Sequence, residues 1–242
     1  MTVTIVQLYP RELGVAGDRG NVLALAARLG AAGFESETVE YSRGDSLPVS
    51  ADLIVIGNGP LSAMRTVHAD LLSIASRLRG WVADGVPVFA YGAGAELLGH
   101  GIDLLDGSRL DGLGIFPLVA TRTASRKVGY IIADSAVGQL VGFEDNASIW
   151  TPDAGAETLG TVTAGIGNGD GREGVLSGSS IATQLGGPVL PLNPELTALL
   201  VTAVAARRGV AVAAAALGVL DEYAENARNV IIANATHHFS RI

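Results

Sequence analysis

The sequence predicts a doubly wound, mostly parallel α/β sheet with a helical C-terminal extension. Three observations carry that expectation. Strand-like and helix-like apolar patterns alternate through the first hundred residues, the order that builds a parallel sheet covered by helices. "ADLIVIGNGP" (51–60) is a continuous apolar run ending in glycines, as a strand buried on both faces requires. "GVPVFAYGAGAELLGHG" (85–101) runs from an apolar strand through Gly92, Ala93 and Gly94 into a helix near Ala95. A strand–turn–helix of this kind holds a nucleophile above an α/β sheet. Here the tip of the turn is Gly92, which has no side chain.

The elements follow in order. Residues 2–9 alternate as a first strand. Residues 17–34 form a helix with one buried face at Val22, Leu25, Ala26 and Leu29, closed by Gly33. "ESETVEY" is a second strand, 51–60 a third, and 67–85 an amphipathic helix that leads to the glycine turn. Ligands of such sheets sit at the carboxyl ends of the strands. The loops that matter are therefore Tyr9–Asn21, Gly57–Ala63 and Tyr91–Glu96. The second half is richer in strand signal, in "GIFPLVATRTASRKVGYIIADS", "LVGFEDNASIWT" and "TLGTVTAGIGNGDGREGVLSGSSIATQL". Two helical patterns close the chain, about 195–207 and 211–235. With no repeat or linker, a single domain over 1–242 is expected, with a core of about 3–207 and an extension of about 208–242.

Composition narrows the function classes. The chain has 242 residues, 48% hydrophobic and 17% charged, enough to bury a large core. A net charge of −8 and a pI near 4.9 argue against nucleic acid or an anionic membrane as partner. The absence of cysteine excludes disulfides, thiolate catalysis and cysteine-ligated zinc. His68, His100, His237 and His238 form no HExxH pattern, so no metal site is expected. The N-terminus lacks a basic stretch leading into a long apolar one, and the apolar segment 209–220 is too short to span a bilayer. A cytoplasmic location is the expectation.

Four short stretches carry polar chemistry. Gly57-Asn58-Gly59-Pro60 is either a tight strand-to-helix turn or a set of N–H groups aimed at an anion or a developing oxyanion. Pro60 has no N–H to give. In Gly17-Asp18-Arg19-Gly20-Asn21, Asp18 reads as a cap or capping-region acid and Asn21 as a partner of local backbone. No GxGxxG dinucleotide fingerprint is present. Arg126 and Lys127, the latter the only lysine, are either a carboxylate-recognising pair or a solvated one. His237-His238 reads as a surface tail.

Taken together, "LYP…GDRGNVLALAARL", "DLIVIGNGP", "PVFAYGAGAELLG" and "GIGNGDGREGV…IATQLGGPVLPLNPEL" resemble the cobyric-acid-synthase-like class of class I glutamine amidotransferases. Within it they are most similar to the GatD type, the glutaminase subunit of lipid II isoglutaminyl synthase. The match is colinear over residues of about 3–200. The DRGN segment and the GP-x-LP-x-NP-x-L ending are its most specific parts.

The resemblance implies a class I glutamine amidotransferase-like (flavodoxin-like) fold, no cofactor, and a heterodimer with a Mur-ligase-like (MurT-type) partner. In the family, ammonia drawn from glutamine passes to that partner, which uses ATP to amidate D-glutamate in the peptidoglycan stem peptide. The family's elbow reads Cys-Gly-Gly-Tyr-Gln before Leu-Leu-Gly; here it is Gly92-Ala93-Gly94-Ala95-Glu96 before Leu97-Leu98-Gly99. The nucleophilic cysteine falls on Gly92. The family's Tyr-Leu-His-Gly-Pro is Gln184-Leu185-Gly186-Gly187-Pro188, so the histidine base falls on Gly186. Gly-Gly-Gly-Gln-Asp becomes Gly57-Asn58-Gly59-Pro60-Leu61, and GFENHxG survives as Gly142-Phe143-Glu144-Asp145-Asn146. Arg126 lies where a basic substrate contact is expected.

Thioester chemistry needs a thiolate and a base in hydrogen-bond reach, and the two act as a unit. With both gone, the expectation is a pseudoenzyme that still docks its partner. Its pocket residues would be Gly57, Asn58, Gly59, Ala93, Gly94, Glu96 and Arg126. Two alternatives stand. The vacated pocket, enlarged by its glycines, is a binding module for a small, glutamine-like ligand. Or Glu96 or Asp18 serves water in a replaced hydrolytic mechanism.

Overall fold

The computed structural model describes residues 2–212 and 217–235. Strand and helix alternate first, as β1 (Thr2–Leu8), α1 (Asp18–Ala31), β2 (Glu35–Tyr41), β3 (Leu53–Ile56), α2 (Leu61–Ser73), α3 (Ala75–Ala83), β4 (Val88–Tyr91) and α4 (Ala93–Leu98). Strands then dominate: β5 (Gly101–Asp103), β6 (Arg109–Asp111), β7 (Leu118–Ser135), β8 (Gly138–Pro152), β9 (Gly160–Ala164), β10 (Arg172–Glu173), β11 (Val175–Ser177) and β12 (Ser180–Thr183). Three helices follow, α5 (Val189–Leu192), α6 (Pro194–Arg207) and α7 (Val219–Ala233).

The first sheet has the order β11-β12-β4-β3-β1-β2, parallel throughout except for the β11–β12 edge. Its central strands are apolar on both faces because both are covered. Val3, Ile5, Leu53, Val55, Phe89 and Ile181 face Val22, Leu25 and Leu29 of α1 and Leu196, Leu200 and Val204 of α6. The alternate positions Val6, Leu8, Ile54, Ile56, Val88 and Ala90 face Met64, Val67 and Leu71 of α2 and Leu78 and Trp81 of α3. Burial on this scale drives the fold, at about 25 cal/mol per Å² of apolar surface.

This is the mostly parallel sheet expected, and the strand-rich second half forms a second sheet. That sheet, β10-β9-β7-β5-β6 with β8 on β7, is antiparallel apart from the β5–β7 pair. Its backbone is the β7–β8 hairpin, closed by a two-residue connection that can join only antiparallel neighbours. A register shift between Arg122 and Lys127 changes which side chains face inward. Phe143 and Gly186 tie the hairpin to the first sheet with two backbone hydrogen bonds of 3.1 and 3.0 Å.

Two helix boundaries differ from expectation. The helix expected over 67–85 begins earlier, after Pro60, and divides at Ile74 into α2 and α3. The helix expected over 211–235 is described from Val219, after Gly218 at φ 57°. Residues 213–216 and the His237-His238 pair lie outside the described residues. Arg28–Asp221 (2.5 Å) fastens α7 to α1, and Arg228–Asn193 (3.0 Å) fastens it to the start of α6. Among the described residues no helix is long and apolar enough to cross a membrane.

Candidate functional site

Three loops meet at the carboxyl ends of β3, β4 and β12. Gly94 N–H donates to Gly57 C=O and Gly92 N–H to Thr183 C=O, each at 3.0 Å. These bonds join the 57–60, 92–96 and 184–188 loops around a cleft of about 510 Å³. Asn58, Gly59, Gly92, Ala93, Glu96 and Arg126 line it, with Tyr91, Arg122, Asp145 and Gln184 completing the polar wall. Gly57, Gly94 and Gly186 are not among the lining residues.

The elbow keeps its geometry. Gly92 sits at φ 53°, ψ −118° between β4 and α4, a conformation that side chains rarely adopt. The space above it is taken. Asn58 Oδ1 accepts the Ala93 N–H at 2.9 Å, and a Cβ added at Gly92 would lie 2.5 Å from that oxygen and 2.7 Å from Asn58 Cγ.

Asn58 is held from behind. Its own N–H donates to Asp18 Oδ2 at 3.3 Å, and Ala16 N–H reaches the same oxygen at 3.2 Å. Gly57 passes so close that a Cβ there would meet Asp18 Cγ at 2.3 Å. The loop's Asn58 N–H thus goes to Asp18 and not toward a ligand. Asp18 is completely buried and follows Gly17, the residue that precedes α1. Desolvation pushes its carboxyl up to about 6, against the backbone hydrogen bonds that favour the charged form. Asn21 accepts the Leu190 N–H at 2.9 Å, fastening α1 to α5. Asp18 and Asn21 of the DRGN segment therefore position loops.

The second vacated place is also filled. A Cβ at Gly186 would lie 1.9 Å from the Tyr91 hydroxyl oxygen and 2.7 Å from the Phe143 carbonyl oxygen. Tyr91 is buried. Desolvation pushes its hydroxyl well above the usual tyrosine range, with Asp18, Asp145 and Glu173 adding to the shift. The expectation of a pocket enlarged by glycines is thus corrected: side chains from other positions occupy the volumes beside Gly92 and Gly186, and the cleft opens next to them.

Glu96, deeply buried, pairs with Arg122 at 3.2 Å and accepts the Trp150 indole N–H at 3.3 Å. The indole N–H takes Oε1, while Oε2 has the Arg122 ion pair but no hydrogen bond. Arg126 is 60% exposed at the cleft mouth and pairs with Asp145. Lys127 corrects the reading of a solvated pair. Successive strand residues point to opposite faces, and Lys127 turns inward, where its ammonium donates to Gly167 C=O (2.7 Å) and Gln184 Oε1 (3.3 Å). Burial lowers its affinity for the proton, while Glu144, Glu173 and Glu96 oppose that. Glu144 accepts the N–H groups of Ile166 and Gly167 at 2.9 and 3.1 Å. Glu173 accepts the Thr183 hydroxyl at 2.6 Å and the Gln184 N–H at 2.8 Å. Burial raises both carboxyls.

Arg122 and Glu173 were not singled out from the sequence; Tyr91, Lys127 and Glu144 were named, but not as neighbours of Gly186 or as members of one buried cluster. Among the described residues, no group of three His, Cys, Asp or Glu is placed to hold a metal ion.

The model of the CobB/CobQ-like glutamine amidotransferase domain matches residues 4–193. The chain belongs to that family. This amidotransferase-like chain is 31% identical, over 86% of its own length and 86% of the relative's, to the GatD subunit of the glutamine-hydrolyzing lipid II isoglutaminyl synthase of Staphylococcus aureus (strain N315). Solved structures give the same fold. One glutamine amidotransferase has a TM-score of 0.59 at 19% identity, covering 82% of this chain and 98% of that one. The acivicin-bound glutaminase domain of Trypanosoma brucei CTPS has a TM-score of 0.53 at 13% identity, covering 88% and 96%. In the amidotransferase frame, Gly92 occupies the elbow position and Gly186 the end of the segment after β12.

Proposed function

We propose that this chain is a non-catalytic, GatD-like amidotransferase subunit that docks a Mur-ligase-like partner acting on the peptidoglycan stem peptide. One observation carries the loss of catalysis: both places from which a thiol and an imidazole would act are occupied by other side chains, Asn58 at Gly92 and Tyr91 at Gly186. Neither replacement is suited to the chemistry. Asn58 has no titratable group, and Tyr91, pushed up by burial, keeps its proton at neutral pH. Glu96 is bound to Arg122 and Trp150, which speaks against a replaced hydrolytic mechanism. The relation to a GatD subunit supports the partner assignment. The reading carries with it a single amidotransferase-like domain over 1–242 and a cytoplasmic location.

The test has two arms. Purified chain incubated with glutamine is expected to release glutamate no faster than a protein-free control; release above it removes the non-catalytic reading. Co-expression with a Mur-ligase-like protein is expected to give one complex on size-exclusion chromatography; separate elution removes the docking reading. The 510 Å³ cleft favours a second reading, a binding module for a small zwitterion, because its wall carries two carboxylate–guanidinium pairs, Glu96–Arg122 and Asp145–Arg126.

A further inference from the structure

The Asn58 side chain is itself a primary carboxamide, the group that a glutaminase cleaves. Its Oδ1 lies 2.9 Å from the N–H of Ala93, the residue immediately after the elbow tip. An amide donor in that position serves a developing oxyanion in enzymes with such an elbow. Asn58 Cγ lies 2.7 Å from where the first carbon of a side chain at residue 92 would stand. The carboxamide therefore sits against both the donor and the place of attack.

The loop that carries it is pinned. Asn58 N–H is bound by Asp18, Asn58 C=O accepts the Val15 N–H at 3.3 Å, and Gly57 C=O accepts the Gly94 N–H at 3.0 Å. A tethered group held in place competes at a high effective concentration, so an external ligand of the same chemistry is displaced without any direct clash elsewhere.

We infer that Asn58 is a built-in occupant of the carboxamide subsite, and that it closes this site to glutamine and to other primary carboxamides. The inference rests on the proposed non-catalytic reading. It goes further, because a site merely lacking its nucleophile would still bind glutamine.

The experiment compares the full-length chain with Asn58→Ala. Each is titrated with L-glutamine and, separately, with L-glutamate, by calorimetry. Asn58→Ala is expected to bind glutamine at least about tenfold more tightly than the native chain, the scale of one net hydrogen bond. Glutamate, whose γ-carboxylate has the same shape and also offers an acceptor oxygen to the Ala93 N–H, is expected to gain in the same direction. Equal glutamine affinity in the two proteins, or none in either, overturns the inference. If Asn58→Ala does not fold, amide exchange at Ala93 in the native chain decides. Strong protection supports the carboxamide's occupancy, and exchange at the rate of an open amide overturns it. Glutamate release by either protein would strike the non-catalytic reading and leave the binding comparison intact.

Discussion

Tyr91 and Gly186 share one volume: a Cβ on residue 186 would fall 1.9 Å from the tyrosine hydroxyl oxygen. The same relation holds between Asn58 and Gly92, at 2.5 Å. In each pair a small residue and a large one are mutually required. Restoring the glycine position therefore means removing its neighbour.

The first pair can be tested by stability alone. Gly186→Ala is expected to cost about 1–3 kcal/mol, the usual penalty of overpacking. Tyr91→Ala creates a cavity and is costly by itself. In the double variant the two costs are expected to fall short of additivity, because the closer clash, with Tyr91, is gone and only the Phe143 carbonyl contact remains. Urea unfolding of the four proteins gives the coupling, and strict additivity would show that the two positions do not share space.

The second pair governs activity. Gly92→Cys alone is expected to produce glutamate at the background rate. The thiol would lack a base, and it would also meet Asn58 and a backbone at φ 53°. Adding Gly186→His is not expected to help while Asn58 and Tyr91 remain. A coupled glutamate assay on the single and double variants checks this.

Asp18 sets a pH dependence. Its carboxyl is raised to about 6 in the folded protein, whereas an unfolded aspartate titrates near 3.9. Between these values the folded chain holds the proton more tightly than the unfolded one. Asp18's contribution is therefore fully present below about pH 4 and is lost as pH rises through about 6. Asp18→Asn keeps an acceptor for the Ala16 and Asn58 N–H groups and removes the buried charge. It is expected to flatten the stability profile over that window and to gain up to about 3 kcal/mol at pH 7.5. Denaturant midpoints at pH 4.5 and 7.5 measure both effects.

Lys127 is the cation of a buried cluster with Glu144 and Glu173. Lys127→Met is expected to destabilise by about 1–3 kcal/mol, since it leaves Gly167 C=O and Gln184 Oε1 without their donor. A loss below about 0.5 kcal/mol in urea unfolding would show the pair to be a solvated one.

How much of this was legible depends on the range of the interaction. The elbow was readable at Val86–Glu96 because turn chemistry is local: an apolar strand, a glycine tip and a helix start lie in one stretch. The parallel sheet was readable because continuous apolar strands need cover on both faces. The second sheet's hairpin order was only hinted at by glycine turns. Lys127 was misread because the register shift after Arg122 hides the strand's alternation. The filling of the site was not readable. Asn58 and Ala93 are 35 residues apart, and nothing in either stretch says that one side chain reaches the other's amide.

By itself, the sequence determined the family, the parallel core, and the absence of sulfur and imidazole from the two positions, because these follow from residue identity and short-range pattern. Only the tertiary structure decided what stands in those places. Whether a missing side chain leaves a hole or a packed wall depends on which distant loop folds against it, and here the convergence of three strand ends brings Asn58 and Tyr91 into the space.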